Sequence, residues 1–105
     1  MYLDVDKMVL LIIDMQYDFI EKASPFYVDD CKDIIPNIKI LLEKFRERNL
    51  HRIFVKREHR KSGVDVDKVR HEIFIKEGGV LVENSKGSSI INELKPIDDE
   101  IIIVK

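Results

Sequence analysis

The sequence predicts an α/β protein built on a parallel sheet, and three observations carry that expectation. Short continuous apolar runs recur along the chain, each bounded by charged or turn-forming residues, as in strands buried within a parallel sheet. An amphipathic helical repeat separates the first two runs. A shorter helical signal precedes the last one, so strands and helices alternate in the order that right-handed crossovers require.

Val9 to Ile13, with Met8 before them, form the first run, closed by Asp14 and patterned as a strand buried on both faces. Ile34, Ile38, Leu41, Leu42 and Phe45 then recur on one face of a helix. Asp33 is placed to cap that helix, with Pro36 in its first turn, where a missing N–H costs nothing. Arg46 and Arg48 fall at its negative end, and Asn49 offers a left-handed stop. Ile53-Phe54-Val55 form the second strand. Residues 56–79 are polar, basic and then Gly78-Gly79, which predicts a mobile loop with a short helix around Val66 to Ile75. Val80-Leu81-Val82 read as a short edge strand. Ser88 or Ser89 caps a second helix through Ile90, Ile91 and Leu94, with Pro96 beyond it. Ile101 to Val104 make the last strand, expected beside the Asp14 strand, with the 53–55 strand on Asp14's other side.

Composition narrows the function. The 105 residues suit one domain, and 45% apolar with 36% charged residues describe a soluble globular protein. Eighteen Lys and Arg against twenty Asp and Glu leave a net charge of −2, which argues against a dedicated nucleic-acid binder. The basic stretch Arg46 to Lys61 is too poor in aromatic residues to change that. A single cysteine excludes a disulfide framework and fits a reducing, cytoplasmic setting. No apolar run approaches the roughly 18 residues of a membrane span. Asp4, Asp6 and Lys7 make the start unlike a signal peptide.

Parallel sheets gather functional side chains at the carboxyl ends of their strands. Asp14 and Lys105 both hold that position, so a carboxylate and an ammonium can face one another across one crevice. Gln16 is placed to orient Asp14 or to donate to a substrate. Phe19 is a candidate pocket residue, and Asp18 is expected to pin the loop through backbone hydrogen bonds. His59 stands in Arg57-Glu58-His59-Arg60-Lys61, among cations and without a second histidine at ligand spacing, so no metal and no cofactor are expected and the segment reads as a solvated loop. His71 reads as surface and His51 as structural. Lys86-Gly87-Ser88-Ser89 lacks phosphate-loop spacing and reads as a cap and turn.

The run Leu10-Leu-Ile-Ile-Asp14-Met15-Gln16-Tyr17-Asp18-Phe19 resembles the opening motif of the isochorismatase-like cysteine hydrolases, a superfamily that includes nicotinamidases. Ile35-Pro36-Asn37-Ile38, Ile53 to Arg57, Lys86 to Ile90 with Glu93 to Pro96, and Asp99 to Lys105 resemble further segments in the same order. The resemblance implies a three-layer α/β/α fold with a parallel Rossmann-like sheet, present over residues 1–105 as its N-terminal part and truncated after the lysine strand. It also implies an Asp-Lys-Cys site acting on a small amide or related metabolite, with Asp14 as general base and Lys105 as the triad lysine. A nearby cation favours a thiolate nucleophile, and backbone N–H groups would hold the oxyanion. The nucleophile is expected beyond Lys105. Cys31, set among Asp29, Asp30 and Asp33, is in surroundings that disfavour a thiolate. Isochorismatases proper are understood to cleave a vinyl ether without relying on cysteine.

The competing reading is a non-catalytic remnant of the fold that acts by binding or assembly. A phospho-receiver module would need an Asp ending a middle strand, where this sequence offers Lys56 and Glu83. Asp14 acting alone on water is a further, weaker option. An apolar final strand with an open edge predicts association, so a homo-oligomer is expected, with a small molecule as the other partner.

Overall fold

The computed structural model describes residues 4–105; residues 1–3, at the start of the polar opening segment, lie outside the described residues. The elements are β1 (Val9–Ile13), α1 (Tyr17–Ile20), α2 (Ile35–Glu47), β2 (His51–Lys56), α3 (Lys68–Lys76) and β3 (Ile101–Val104), with short 3-10 turns between them. The strands form one parallel sheet in the order β1-β2-β3.

That order corrects one expectation. The β3 strand pairs with β2, not with β1, and β2 is central. The reason lies at the amino end of the sheet. Glu100, entering β3, accepts hydrogen bonds from Arg46 Nε (2.8 Å) and Nη2 (2.7 Å) at the end of α2, and from Arg52 Nε (2.8 Å) on β2. Both arginines belong to the α2–β2 unit, so the incoming strand docks on β2.

Helix α2 packs on one face of the sheet. Leu42 is buried there with Ile12 and Phe54, while Ile35 and Ile38 pack against the same cluster. Leu41 and Ile34, expected on this face, are about half exposed. Asp33 does not cap α2, because Cys31–Ile34 wind as a 3-10 turn that runs straight into it. Asn49 does stop the helix, at a φ of 53°.

The opposite face is bare among the described residues. Val9, Leu11 and Ile13 of β1 are 48–53% exposed, and Ile101 and Ile103 of β3 are 56% and 48% exposed. Leu11, Ile53 and Ile101 lie in register, as do Ile13, Val55 and Ile103, so these aliphatic side chains form one continuous surface. The β1 strand is therefore covered on one face, not on both.

Two further expectations change. Val80-Leu81-Val82 is no strand: Leu81 sits at a φ of 56°, which breaks extended pairing and leaves one isolated bridge from His59 to Val82. Residues 88–94 form no α-helix beyond a 3-10 turn at Asn92–Leu94. Their backbone groups bond the chain after β1, through Tyr17 N–H to Ser89 O (3.1 Å) and Ile91 N–H to Met15 O (3.0 Å), and Gly87 O just before them accepts from Asp18 N–H (2.9 Å). The predicted short helix near Val66 to Ile75 is α3, whose Phe74 packs with Val66, Val80 and Leu81 in a satellite cluster. Partly buried Phe19 touches both that cluster and the main core.

Candidate active site

The carboxyl ends of the three strands bring Asp14 and Lys105 together. Lys105 Nζ lies 3.1 Å from Asp14 Oδ2. Their strands are the outer two, so the lysine reaches across β2, roughly two strand spacings or 9–10 Å. The backbone holds both ends of that reach. Asp14 N–H donates to Val55 O at 2.9 Å and Lys105 N–H to Lys56 O at 2.9 Å, each continuing the ladder one residue past its strand. Asp14 then turns to a φ of 61°, a left-handed conformation that Asp adopts more readily than most residues. The two side chains are 34% (Asp14) and 41% (Lys105) exposed. Asp14 Oδ1 is buried and has no hydrogen-bond partner among the described residues. One carboxylate oxygen is thus held by a cation while the other remains an acceptor without a donor.

Gln16 is fully buried, and its side-chain hydrogen bonds go to Arg57 and Ser88 rather than to Asp14. Its Nε2 donates to Arg57 O (2.7 Å) and Ser88 O (2.7 Å), and its Oε1 accepts from Arg57 N–H (2.9 Å). Both amide hydrogens are committed, so neither proposed role, orienting Asp14 or donating to substrate, matches its geometry. Gln16 instead clamps the backbone just beyond β2 to the segment before the 3-10 turn at Asn92. Phe19 lines a cleft of about 300 Å³ with Phe26, Val28, Arg70 and Ile73, and neither Asp14 nor Lys105 lines it. Asp18 pins a loop, its Oδ2 accepting from Leu81 N–H at 2.7 Å. Gly87 lies so close to the Asp18 carboxylate that a Cβ there would overlap it.

Cys31 lies at the start of the 3-10 turn before α2, with Sγ 3.4 Å from Phe19 O, and is not part of the pair. His59 overturns the solvated-loop reading: it is 2% exposed. Its Nε2 accepts from Arg57 Nε–H at 3.0 Å, which places its proton on Nδ1, 3.2 Å from Val80 O. The signal available in the sequence was its position three residues past β2, alternating with Arg57. Among the described residues, no group of three or more His, Cys, Asp or Glu stands together as metal ligands would. No described helix is long and apolar enough to cross a membrane.

This arrangement sits on a recognised framework. Residues 8–105 match the Isochorismatase domain family. The chain belongs to the isochorismatase family. It is 36% identical over 98 residues to a "probable inactive nicotinamidase" of Arabidopsis thaliana, covering 91% of this chain and 50% of that protein. An isochorismatase family protein from Desulfovibrio vulgaris superposes with a TM-score of 0.86 at 36% identity, covering 92% of this chain and 51% of the other. An isochorismatase-like hydrolase from Alkaliphilus metalliredigens gives 0.76 at 30% identity, covering 92% and 50%. The chain thus spans about half the length of the relatives it matches. The parallel α/β architecture expected from the apolar runs is that of the family.

Proposed function

We propose that this chain forms the Asp-and-Lys half of a hydrolase site acting on a small-molecule amide or related metabolite. The observation that supports it is the 3.1 Å approach of Lys105 Nζ to Asp14 Oδ2 across the central strand. In this reading Asp14 is the general base that takes the proton from the attacking group. Lys105 holds the other carboxylate oxygen and stabilises negative charge on the nucleophile. The nucleophile itself is a thiol brought to the pair from outside the described residues, since Cys31 is engaged elsewhere. The setting is the cytoplasm, where such a thiol stays reduced.

The test is ammonia release from a panel of small amides by the native protein. Asp14→Asn and Lys105→Met are each expected to lower kcat/KM by at least about a hundredfold, the usual scale for losing a general base or its charge partner. Unchanged turnover in either variant would refute these assignments.

The likeness to a relative described as probably inactive supports a second reading in which the fold acts by binding or assembly. Small-amide binding that depends on Asp14, with no turnover of any panel member, would favour it. The exposed aliphatic face supports association in either case, with a second copy of the chain as the proposed partner.

A further inference from the structure

Charge at the carboxyl rim of the sheet is nearly all paired. Lys105 is taken by Asp14 at 3.1 Å, and Lys56 by Glu58 at 2.9 Å. Arg57, one residue past the central strand, is paired much more loosely. Its nearest carboxylate is Asp67, 3.9 Å from Nη2, on a side chain that is 63% exposed. Such a contact is loose and well screened.

Arg57 is nevertheless held more firmly than a surface arginine. Gln16 fixes its backbone at both N–H and C=O. Its Nε–H donates to buried His59, whose own backbone is tied by His59 N–H to Leu81 O (2.7 Å) and by Glu83 N–H to His59 O (2.9 Å). Imidazole as acceptor does not cancel the guanidinium charge, and it fixes the inner nitrogen, while the outer two make no hydrogen bond among the described residues beyond the loose 3.9 Å approach of Nη2 to Asp67. A pre-oriented guanidinium with free outer N–H groups matches a planar carboxylate. Because β2 lies between β1 and β3, Arg57 stands at the same rim as Asp14 and Lys105.

We propose that Arg57, positioned by His59, is the carboxylate anchor of the Asp14–Lys105 site, so that the substrate is a small amide carrying a carboxylate. This rests on the small-amide reading above and adds the substrate's charge.

The experiment compares succinamate with succinamide, which differ by a carboxylate in place of a carboxamide. Binding to the 15N-labelled native protein is followed by NMR at the Arg57 Nε–H signal, identified by its loss in Arg57→Met. Succinamate is expected to shift that signal and to bind at least about tenfold more tightly than succinamide, the lower range for a charge-assisted pair. Arg57→Met should abolish the preference while leaving the Gln16 and Leu81 amide signals in place. Arg57→Lys, which keeps the charge but not the bond to His59, should retain only part of it. Equal binding of the two compounds, a preference that survives in Arg57→Met, or no binding of either at millimolar concentration would overturn the anchor. Hydrolysis is read separately. Preferential binding of succinamate without turnover would sink the hydrolase reading and support the anchor. Hydrolysis of both amides with equal efficiency, unaffected by Arg57→Met, would overturn the anchor and support the hydrolase.

Discussion

Glu100→Gln tests the strongest electrostatic assembly in the molecule. The Glu100 side chain is fully buried, at 0% exposure, and Arg52 is 7% exposed. Burial pushes the Glu100 carboxyl up, but hydrogen bonds from Arg46, the Ile97 N–H and Arg52 outweigh it and bring it down to about 2 from 4.5. A carboxylate with a lowered folded pKa stabilises above its unfolded value and loses that contribution as pH falls through the folded one. That lowering corresponds to about 3 kcal/mol at neutral pH, falling to about 1 kcal/mol near pH 3. Glu100→Gln should therefore cost about 3 kcal/mol at pH 7, in line with breaking a buried ion pair from one side. It should cost far less at pH 3. Urea unfolding followed by circular dichroism at both pH values measures the two differences. A cost below about 1 kcal/mol at pH 7, or a gap that does not shrink on acidification, would refute the reasoning.

Three further outcomes follow from packing and hydrogen bonding. Gly87→Ala should lower stability by about 1–3 kcal/mol, because the new methyl displaces the Asp18 carboxylate from Leu81 N–H; a thermal melt unchanged from the parent would count against it. Gln16→Leu should cost about 3 kcal/mol or more, since it leaves the Arg57 N–H, Arg57 C=O and Ser88 C=O unpaired, and amide exchange at Arg57 should quicken accordingly. Leu11→Lys with Ile103→Lys places charge on the bare face and should abolish self-association while leaving urea stability within about 1 kcal/mol. Sedimentation velocity reads that change, and a parent chain that is already a monodisperse monomer at high concentration would contradict the association reading.

How much of this was legible depended on the kind of interaction that decided each feature. Val9–Ile13, the Ile53–Val55 strand core and Ile101–Val104 could be read because short continuous aliphatic runs favour extended chain in a parallel sheet, although one face of β1 and all of β3 stay exposed. The Asp14–Lys105 pairing followed from a topological rule, since both residues end parallel strands. The strand order did not follow, because it rests on Glu100 meeting Arg46 and Arg52, residues 54 and 48 positions away. Residues 88–94 carry a helical pattern and still form no α-helix. Their N–H and C=O groups are claimed by residues 15–17, a long-range competition that a local pattern does not show. The same competition hid Gln16. Its type suggested a ligand at a site, whereas its amide serves as a substitute rung between two backbone segments.

The two ion pairs of β3 divide its work between them. Glu100, before the strand, is buried and held by both arginines, whereas Lys105, after it, is 41% exposed and meets a single carboxylate. A four-residue strand has few ladder bonds with which to resist slippage, and its side chains are uniformly aliphatic, so packing alone would tolerate a shift. A one-residue slip would turn Lys105 to the other face of the sheet and away from Asp14. Register must then be set where the interaction is strongest, at Glu100, and the Asp14–Lys105 contact inherits it four strand residues later. This explains why the deep pair and the exposed pair lie at opposite ends of one strand. It also makes Glu100→Gln informative beyond stability. In folded protein below its denaturation midpoint, the Lys105 ammonium should lose its contact with Asp14 along with the register that Glu100 imposes.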